Sequence, residues 1–453
     1  MFKKYDAYKD SGIDWIGKIP ASWDVKRLKA PLAERNEKND PIKTDFILSL
    51  TMHQGVIPQS EKTGGGNKPK EDLTAYKLAR PNDIVLNSMN VIVGSVGLSK
   101  YFGVVSPVYY MLYARDGAHT NIGYYNYIFQ SQAFQKNLGR LGTGILIKKS
   151  ETSGKLNTIR MKISMDDLNN ELLPIPSFFE QNQIVEFLNQ KTSEIDQAIA
   201  IKEQQIALLN ERKQIVIQKA VTQGLNPNVA MKDSSVEWIG QIPEHWKIVT
   251  KLKFISSLKG RQGWQGLKAD EYIDEGPFVV SSAHFDGLNI EWHKCPHVSK
   301  ERYEMDAHIQ LKVGDILLMK DGAKMGKLAF VSNLPDLACL NSHLLLIRSL
   351  KKADKYFFDA KYMLYFMLSG KFQDYVQVKG TGTTFMGISQ ESIGNFPLAL
   401  PSFEEQIEIA SFLDQKLSEF DCGKELLLSQ IEKLKEYKTT LINDAVTGKI
   451  KVA

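Results

Sequence analysis

Residues 15–20 read Trp15-Ile16-Gly17-Lys18-Ile19-Pro20 and return as Trp238-Ile239-Gly240-Gln241-Ile242-Pro243. A second tryptophan stands three residues after each box, at Trp23 and Trp246. A closing pair follows, Pro176-Ser177-Phe178-Phe179-Glu180-Gln181 and Pro401-Ser402-Phe403-Glu404-Glu405-Gln406. Residue 15 maps onto 238 and residue 176 onto 401, so the offset is 223 at the opening box and 225 at the closing one. A chain that carries its own pattern twice folds as two similar halves. Such a pseudo-dimer suits a two-part target, and duplex DNA is a common one.

Each copy has a body and a tail. The bodies are β-like: short apolar runs such as Asp83-Ile84-Val85-Leu86 and Asp315-Ile316-Leu317-Leu318 alternate with Gly, Asn and Pro. A glycine lies eleven residues after each Asp, at Gly94 and Gly326, and a Gly-Thr-Gly turn comes later, at 142–144 and 380–382. Between that turn and the pair Ile163 and Ile388 the offset drops from 238 to 225, so copy one carries about thirteen extra residues there. Matching ends with differing middles indicate one scaffold carrying two different recognition surfaces.

The tails follow a heptad. In copy one the seam is Leu188, Thr192, Ile195, Ile199, Lys202, Ile206, Leu209, Lys213, Val216 and Ala220. In copy two it is Leu413, Leu417, Phe420, Lys424, Leu427, Ile431, Leu434, Lys438, Leu441 and Ala445. Steps of three and four residues are those of a coiled coil, and a single polar seam residue fixes register, a role open to Lys213 and Lys438. Lys202 and Lys424 are read as stems that run along the seam edge with the charge in water. Acidic or amide groups at Glu180-Gln181 and Glu405-Gln406 suit a helix start, and Gly224 and Gly448 suit its stop. Each helix then spans roughly 40 residues, on the order of 60 Å. Antiparallel pairing of the two is the expectation. The fold class is α+β, a tandem duplication of a β-rich body plus a long helix.

Composition narrows the class. A chain of 453 residues with 43% hydrophobic and 24% charged residues is ordinary globular protein, with a prior of about three domains. No apolar run reaches the ~18 residues of a membrane span, and no apolar stretch follows the N-terminal lysines as in a secretory signal. Three cysteines, Cys295, Cys339 and Cys422, make no disulfide framework, so a reducing cytoplasm is expected. A net charge of +5 allows nucleic-acid binding without arguing for it.

Two β-rich bodies, two Pro-x-x-x-Glu-Gln entries and two heptad helices resemble the specificity subunit of type I restriction–modification enzymes. The resemblance covers essentially the whole chain. Pro174-Ile175-Pro176 with Glu180-Gln181, and Leu400-Pro401 with Glu405-Gln406, are similar to that family's entries into its central and C-terminal helices. Copy two departs slightly, with Ala399 where a second Pro-Ile-Pro would begin. The resemblance implies a target-recognition domain at 1–178, a central helical spacer at 179–225, a second recognition domain at 226–402 and a C-terminal helical spacer at 403–453. It implies that each body reads half of a split double-stranded DNA site. It also implies two methyltransferase subunits docked on the scaffold and two restriction subunits. S-adenosylmethionine, ATP and Mg would be used by those partners and none by this chain. The alternatives are a coiled-coil protein-interaction scaffold that does not act on DNA, and a self-sufficient enzyme with a degenerate site.

Motifs for chemistry are decoys. Asp321-Gly322-Ala323-Lys324-Met325-Gly326-Lys327-Leu328 is one residue short of a phosphate loop and ends in Leu328 where a Mg²⁺-binding Ser or Thr is needed. His293, Cys295 and His297 would share one strand face, but Pro296 interrupts and a fourth ligand is not evident, so no metal is expected. No Asn-Pro-Pro-aromatic or Asp-Pro-Pro-aromatic run of an amino-methyltransferase is present. Nor is there a Gly-x-Ser-x-Gly elbow or a His-Glu-x-x-His helix.

Contacts to DNA divide into those that position and those that specify. In copy one the candidates are Thr143, Lys148 and Lys149 around the Gly-Thr-Gly turn, Asn87 and Asn90, and His53 with Gln54. In copy two they are Lys379, Thr381 and Thr383, then Lys320 and Lys324, then Arg261 with Gln262 and Gln265. Arg261 suits guanine and the glutamines suit adenine through paired hydrogen bonds. Trp15, Trp23, Trp238 and Trp246 are read as packing anchors, because they recur in both copies whereas reading residues should differ.

Overall fold

The computed structural model describes every residue except 1, 52–53, 64–68, 90–94, 143–161, 237–238, 247, 262–265, 306, 383–385 and 453. Two long helices are present, a central one at Phe178–Gln223 and a C-terminal one at Phe403–Val446. The chain forms two compact units, Met1–Lys202 with Leu428–Ala453, and Glu203–Leu427. Each unit therefore consists of one body and a segment of both long helices.

The first unit is built on a four-stranded antiparallel sheet of β1 (Leu32–Arg35), β2 (Ile84–Asn87), β3 (Val96–Leu98) and β4 (Tyr109–Ala114), in the order β1-β4-β2-β3. Strand β2 starts from a turn in which Asn82 is left-handed (φ 68°), a conformation its short side chain tolerates. The Asp83 carboxylate caps that turn by accepting from Arg80 N at 2.9 Å, and it is buried in an ion pair with Arg35 at 2.9 Å. Alternation does the rest. Ile84 and Leu86 enter the main core with Trp23, Tyr124 and Phe134, while Val85 faces a smaller core with Leu48, Val56 and Met111. Helix α1 (Ile122–Gln130) is capped by Asn121, whose side chain accepts from Gly123 N.

The second unit repeats this frame. Its sheet is β5 (Ser256–Gly260), β6 (Ile316–Met319), β7 (Leu328–Phe330) and β8 (Leu344–Ser349), in the equivalent order β5-β8-β6-β7. Gly314 (φ 93°) takes the place of Asn82, and Asp315 accepts from Lys312 N at 2.6 Å while paired with Arg348 at 2.6 Å. Ile316 and Leu318 face one core and Leu317 the other. Helix α2 (Ala360–Leu368) is capped by Asp359, and α3 (Gly370–Lys379) follows at once. The bodies diverge beside the sheets. Gly103–Val105 runs antiparallel to Lys77–Ala79, whereas Ile273–Val280 runs parallel to Ala338–Leu340.

Within each unit the two helix segments pair antiparallel, as one residue number rises while its partner's falls. In the first unit Lys438 donates to Asp196 at 2.7 Å and Lys202 to Gln430 at 2.6 Å. In the second, Lys213 donates to Asp421 at 2.7 Å and Leu209 lies against Gly423. Leu188, Ile195, Ile431 and Leu441 are buried in the first unit, and Leu413 and Leu417 in the second. Ile199, Ile206, Leu209, Val216, Phe420, Leu427 and Leu434 are half-buried, as expected where only two helices meet. Lys213 and Lys438 are also half-buried, their stems along the seam and their charges on an aspartate of the other helix.

The repeated boxes have a physical reason. A buried tryptophan needs an acceptor for its N–H. Trp23 Nε1 donates to Glu180 Oε1 at 3.2 Å, and Trp246 Nε1 to Glu405 Oε1 at 3.0 Å. The glutamine beside each glutamate both donates and accepts. Gln181 donates to Pro176 O and accepts from Asn121 N, while Gln406 donates to Pro401 O and accepts from Asp359 N. The tail of the other copy closes each body. Tyr124 OH donates to Val446 O at 3.0 Å and Tyr362 OH to Val221 O at 3.2 Å. A side chain at Gly448 (φ 70°) would collide with Pro20. Among the described residues no helix is long and apolar enough to cross a membrane.

Candidate nucleic-acid interface

In the second unit β5 ends at Gly260, opposite Leu345, and β6 ends at Met319, opposite Leu344 at the start of β8. The segments beginning at 261 and 320, and the one ending at 343, therefore meet at one end of the sheet. The segment after α3 is tied to the same place. Gly322 N donates to Met386 O at 2.8 Å and Ile388 N to Lys320 O at 2.7 Å, while Thr381 and Gly387 exchange two bonds of 2.9 Å. From α3, Gln377 donates to Met325 O at 3.0 Å and Gln373 to Gly326 O at 3.1 Å. Lys320, Lys324, Lys379 and Thr381 thus belong to one loop cluster despite their separation in sequence. Lys324, Lys379 and Thr381 are exposed and Lys320 is half-buried. None of these three ammonium groups has an ion pair among the described residues. Unpaired lysines on pinned loops suit phosphate contact.

The first unit shows the same pins. Asn87 N donates to Ser95 O as Met319 N does to Lys327 O, and Ile163 N donates to Ser88 O as Ile388 N does to Lys320 O. Asn87 is half-buried and its side chain accepts from Met89 N at 3.0 Å. Gln54 is exposed at the tip of the hairpin Leu48–Thr51/Gly55–Pro58. That tip is held against β3, because Gly55 and Gly97 approach too closely to leave room for a side chain at residue 97. His53, Asn90, Thr143, Lys148, Lys149, Gln262, Gln265 and Thr383 lie outside the described residues.

Arg261 differs from its expected role. It is 3% exposed, and its Nε donates to Leu340 O at 3.0 Å, so the guanidinium faces inward and anchors the segment after β5. A guanidinium spent on a buried carbonyl is not presented to a base. Two positions not singled out in the sequence stand at this sheet end, Val108 before β4 and His343 before β8. The His343 ring is held by Asp321, Nδ1 to Oδ1 at 2.6 Å. Their equivalence shows once strand registers are aligned, but the repeated boxes give a different offset and hide it.

The decoy motifs resolve into structure. Residues 321–327 form the loop of the β6–β7 hairpin with no helix behind it, and Lys327 donates to Phe285 O at 3.0 Å. Cys295 is buried, and burial, with a smaller contribution from the Glu291 charge, pushes its thiol up to about 12. His297 packs on the Phe278 ring at 4.7 Å and His293 lies in a 3₁₀ turn, Trp292–Lys294. Among the described residues no group of three or more His, Cys, Asp or Glu is placed to hold a metal. Trp23 and Trp246 are buried, Trp15 packs on Phe134 at 5.1 Å, and Trp238 lies outside the described residues.

Residues 267–433 match the sequence model of the family described as Type I restriction modification DNA specificity domain. The chain is 24% identical to the type I restriction enzyme MjaVIII specificity subunit of Methanocaldococcus jannaschii, over 96% of this chain and 94% of the relative. It is 25% identical to the putative type I restriction enzyme MjaX specificity subunit of the same organism, over 96% of each. The chain is thus similar to type I restriction–modification specificity subunits along nearly its whole length. Such subunits are the non-catalytic, DNA-recognising members of their enzymes. The fold agrees. The chain superposes with a TM-score of 0.68 on a chain solved in a study of complex assembly and conformational transition of the type I R-M system, at 15% identity over 94% of this chain and 98% of that one. Against the HsdS subunit from Thermoanaerobacter tengcongensis the TM-score is 0.51, at 15% identity over 95% and 98%.

Proposed function

We propose that the chain is a type I restriction–modification specificity subunit, that each of its bodies reads one half of a bipartite, asymmetric DNA site and that the paired helices set the gap between the halves. On this reading the scaffold docks two methyltransferase subunits that methylate one adenine in each half, and restriction subunits that cleave unmethylated DNA. S-adenosylmethionine, ATP and Mg are then used by the partners. One observation carries the reading. The two units have the same sheet end and the same backbone pins, at Ser88/Ile163 and Lys320/Ile388, but different side chains on them. A shared frame with exchanged chemistry is what two different half-sites require, and it makes the site asymmetric.

The test is a genome-wide map of N6-methyladenine in cells expressing the chain with its partner methyltransferase. A split, asymmetric motif that disappears when this chain is deleted is the expected result. An active methyltransferase with an unsplit motif, or one unchanged by the deletion, would overturn the reading in favour of a protein scaffold.

A further inference from the structure

The residue leading into the last strand of each sheet occupies one place in the frame. Val108 precedes Tyr109, which pairs with Asn87, and His343 precedes Leu344, which pairs with Met319. Asn87 and Met319 are equivalent by the loop-closing bonds they make to Ser95 and Lys327. The carbonyl accepts a hydrogen bond in both, from a side chain in one and from the backbone in the other. Val108 O accepts from Ser88 Oγ at 2.7 Å, and His343 O accepts from Lys320 N at 3.0 Å.

The side chains do not match. Val108 is 43% exposed, an apolar group that adds nothing to the core. The His343 side chain is 50% exposed and fixed by Asp321, which is itself bridged to Gly387. Residues with a structural task recur in both copies, as Trp23 and Trp246, Asp83 and Asp315, and Tyr124 and Tyr362 do. A half-exposed pair that is backbone-matched and chemically exchanged, at the loop end that carries the lysines, has the pattern of a reading position. Holding an imidazole in place beforehand also removes rotamer entropy that binding would otherwise cost.

We propose that Val108 and His343 are the equivalent base-reading residues of the two bodies. Val108 makes an apolar contact with a thymine methyl group, and His343, aimed by Asp321 as a positioning residue, hydrogen-bonds a base edge in the major groove. This rests on the bipartite reading.

The test uses the full chain with its methyltransferase and reads the base preference of each half-site from the methylation map, with thermal stability measured in parallel. His343→Gln and His343→Val change preference by about tenfold at one base position of one half-site and leave the other half intact. Val108→Ser does the same in the opposite half. Asp321→Asn weakens preference at the same base as the His343 variants. Wild-type preference in both halves for the His343 variants, or equal losses in both halves, overturns the proposal. A wild-type chain with no split motif instead removes the bipartite reading on which it stands.

Discussion

Tyr124 and Tyr362 show how much of this chain rests on single polar atoms. Burial holds both hydroxyls well above the ordinary tyrosine range, with nearby Tyr125 adding at Tyr124 and Glu405 at Tyr362, so both remain neutral donors. Tyr124 donates to Pro174 O as well as to Val446 O, whereas the bond from Tyr362 goes to Val221 O. The single Tyr124 proton is shared between its two carbonyls, so Tyr124→Phe removes one donor that serves two acceptors and Tyr362→Phe removes one that serves a single acceptor. Each change is expected to cost roughly 1–3 kcal/mol, the first more than the second. Two units need not unfold together, so the measurement is local hydrogen exchange. The opening energy of α1 should fall for Tyr124→Phe and that of α2 for Tyr362→Phe, and unchanged protection would show that the carbonyls are satisfied otherwise. Some residues could be read ahead of the structure and some could not. Asp83 and Asp315 are visible as a matched pair in the sequence. Their arginines are not, because Arg35 comes from β1 and Arg348 from β8, the strand equivalent to β4.

The helices carry a charge code. Asp196 and Asp421 are equivalent by the 225 offset, as are Lys213 and Lys438. Pairing the tails parallel and in register would set lysine beside lysine and aspartate beside aspartate. Antiparallel pairing sets each lysine on an aspartate, as observed. These groups are partly exposed, so each bridge contributes at most about 1 kcal/mol and selects direction more than it adds strength. Lys213→Glu with Lys438→Glu is expected to lower stability by under ~2 kcal/mol in denaturant melts. Adding Asp196→Lys with Asp421→Lys should restore it, and failure of the rescue would count against the bridges. The heptad made the helices and their seam legible, since apolar spacing needs no third element to reveal it, whereas the antiparallel direction was an expectation that the spacing does not itself report. The aspartates beside the seam were not legible, because a charge next to an apolar stripe looks like any solvated face until its partner is known. The candidate loops were visible as basic or Gly-rich segments, but their convergence depends on strand register, which box spacing does not report. Arg261 was misread for the same reason: its partner, the Leu340 carbonyl, lies in a strand far along the chain.

At the scale of the whole chain, each body is completed by the tail of the other copy. The first unit needs Val446 for Tyr124, the glycine at 448 beside Pro20, and Lys451, whose N–H donates to Lys3 O at 2.8 Å. Deleting 441–453 should therefore damage the body farthest from the deletion in sequence. Limited proteolysis is expected to cut within 1–140 while 240–400 stays protected; cleavage confined to the second body would contradict this. The arrangement also orders events during synthesis. Domains usually fold as they leave the ribosome, the earliest first. Here Glu203–Leu427 is a complete unit once Leu427 has emerged, whereas the body translated first lacks Leu428–Ala453 until those residues have emerged too. The body made first is finished last, and until Leu428–Ala453 have emerged its socket around Trp23 and Tyr124 stands open for a chaperone to guard.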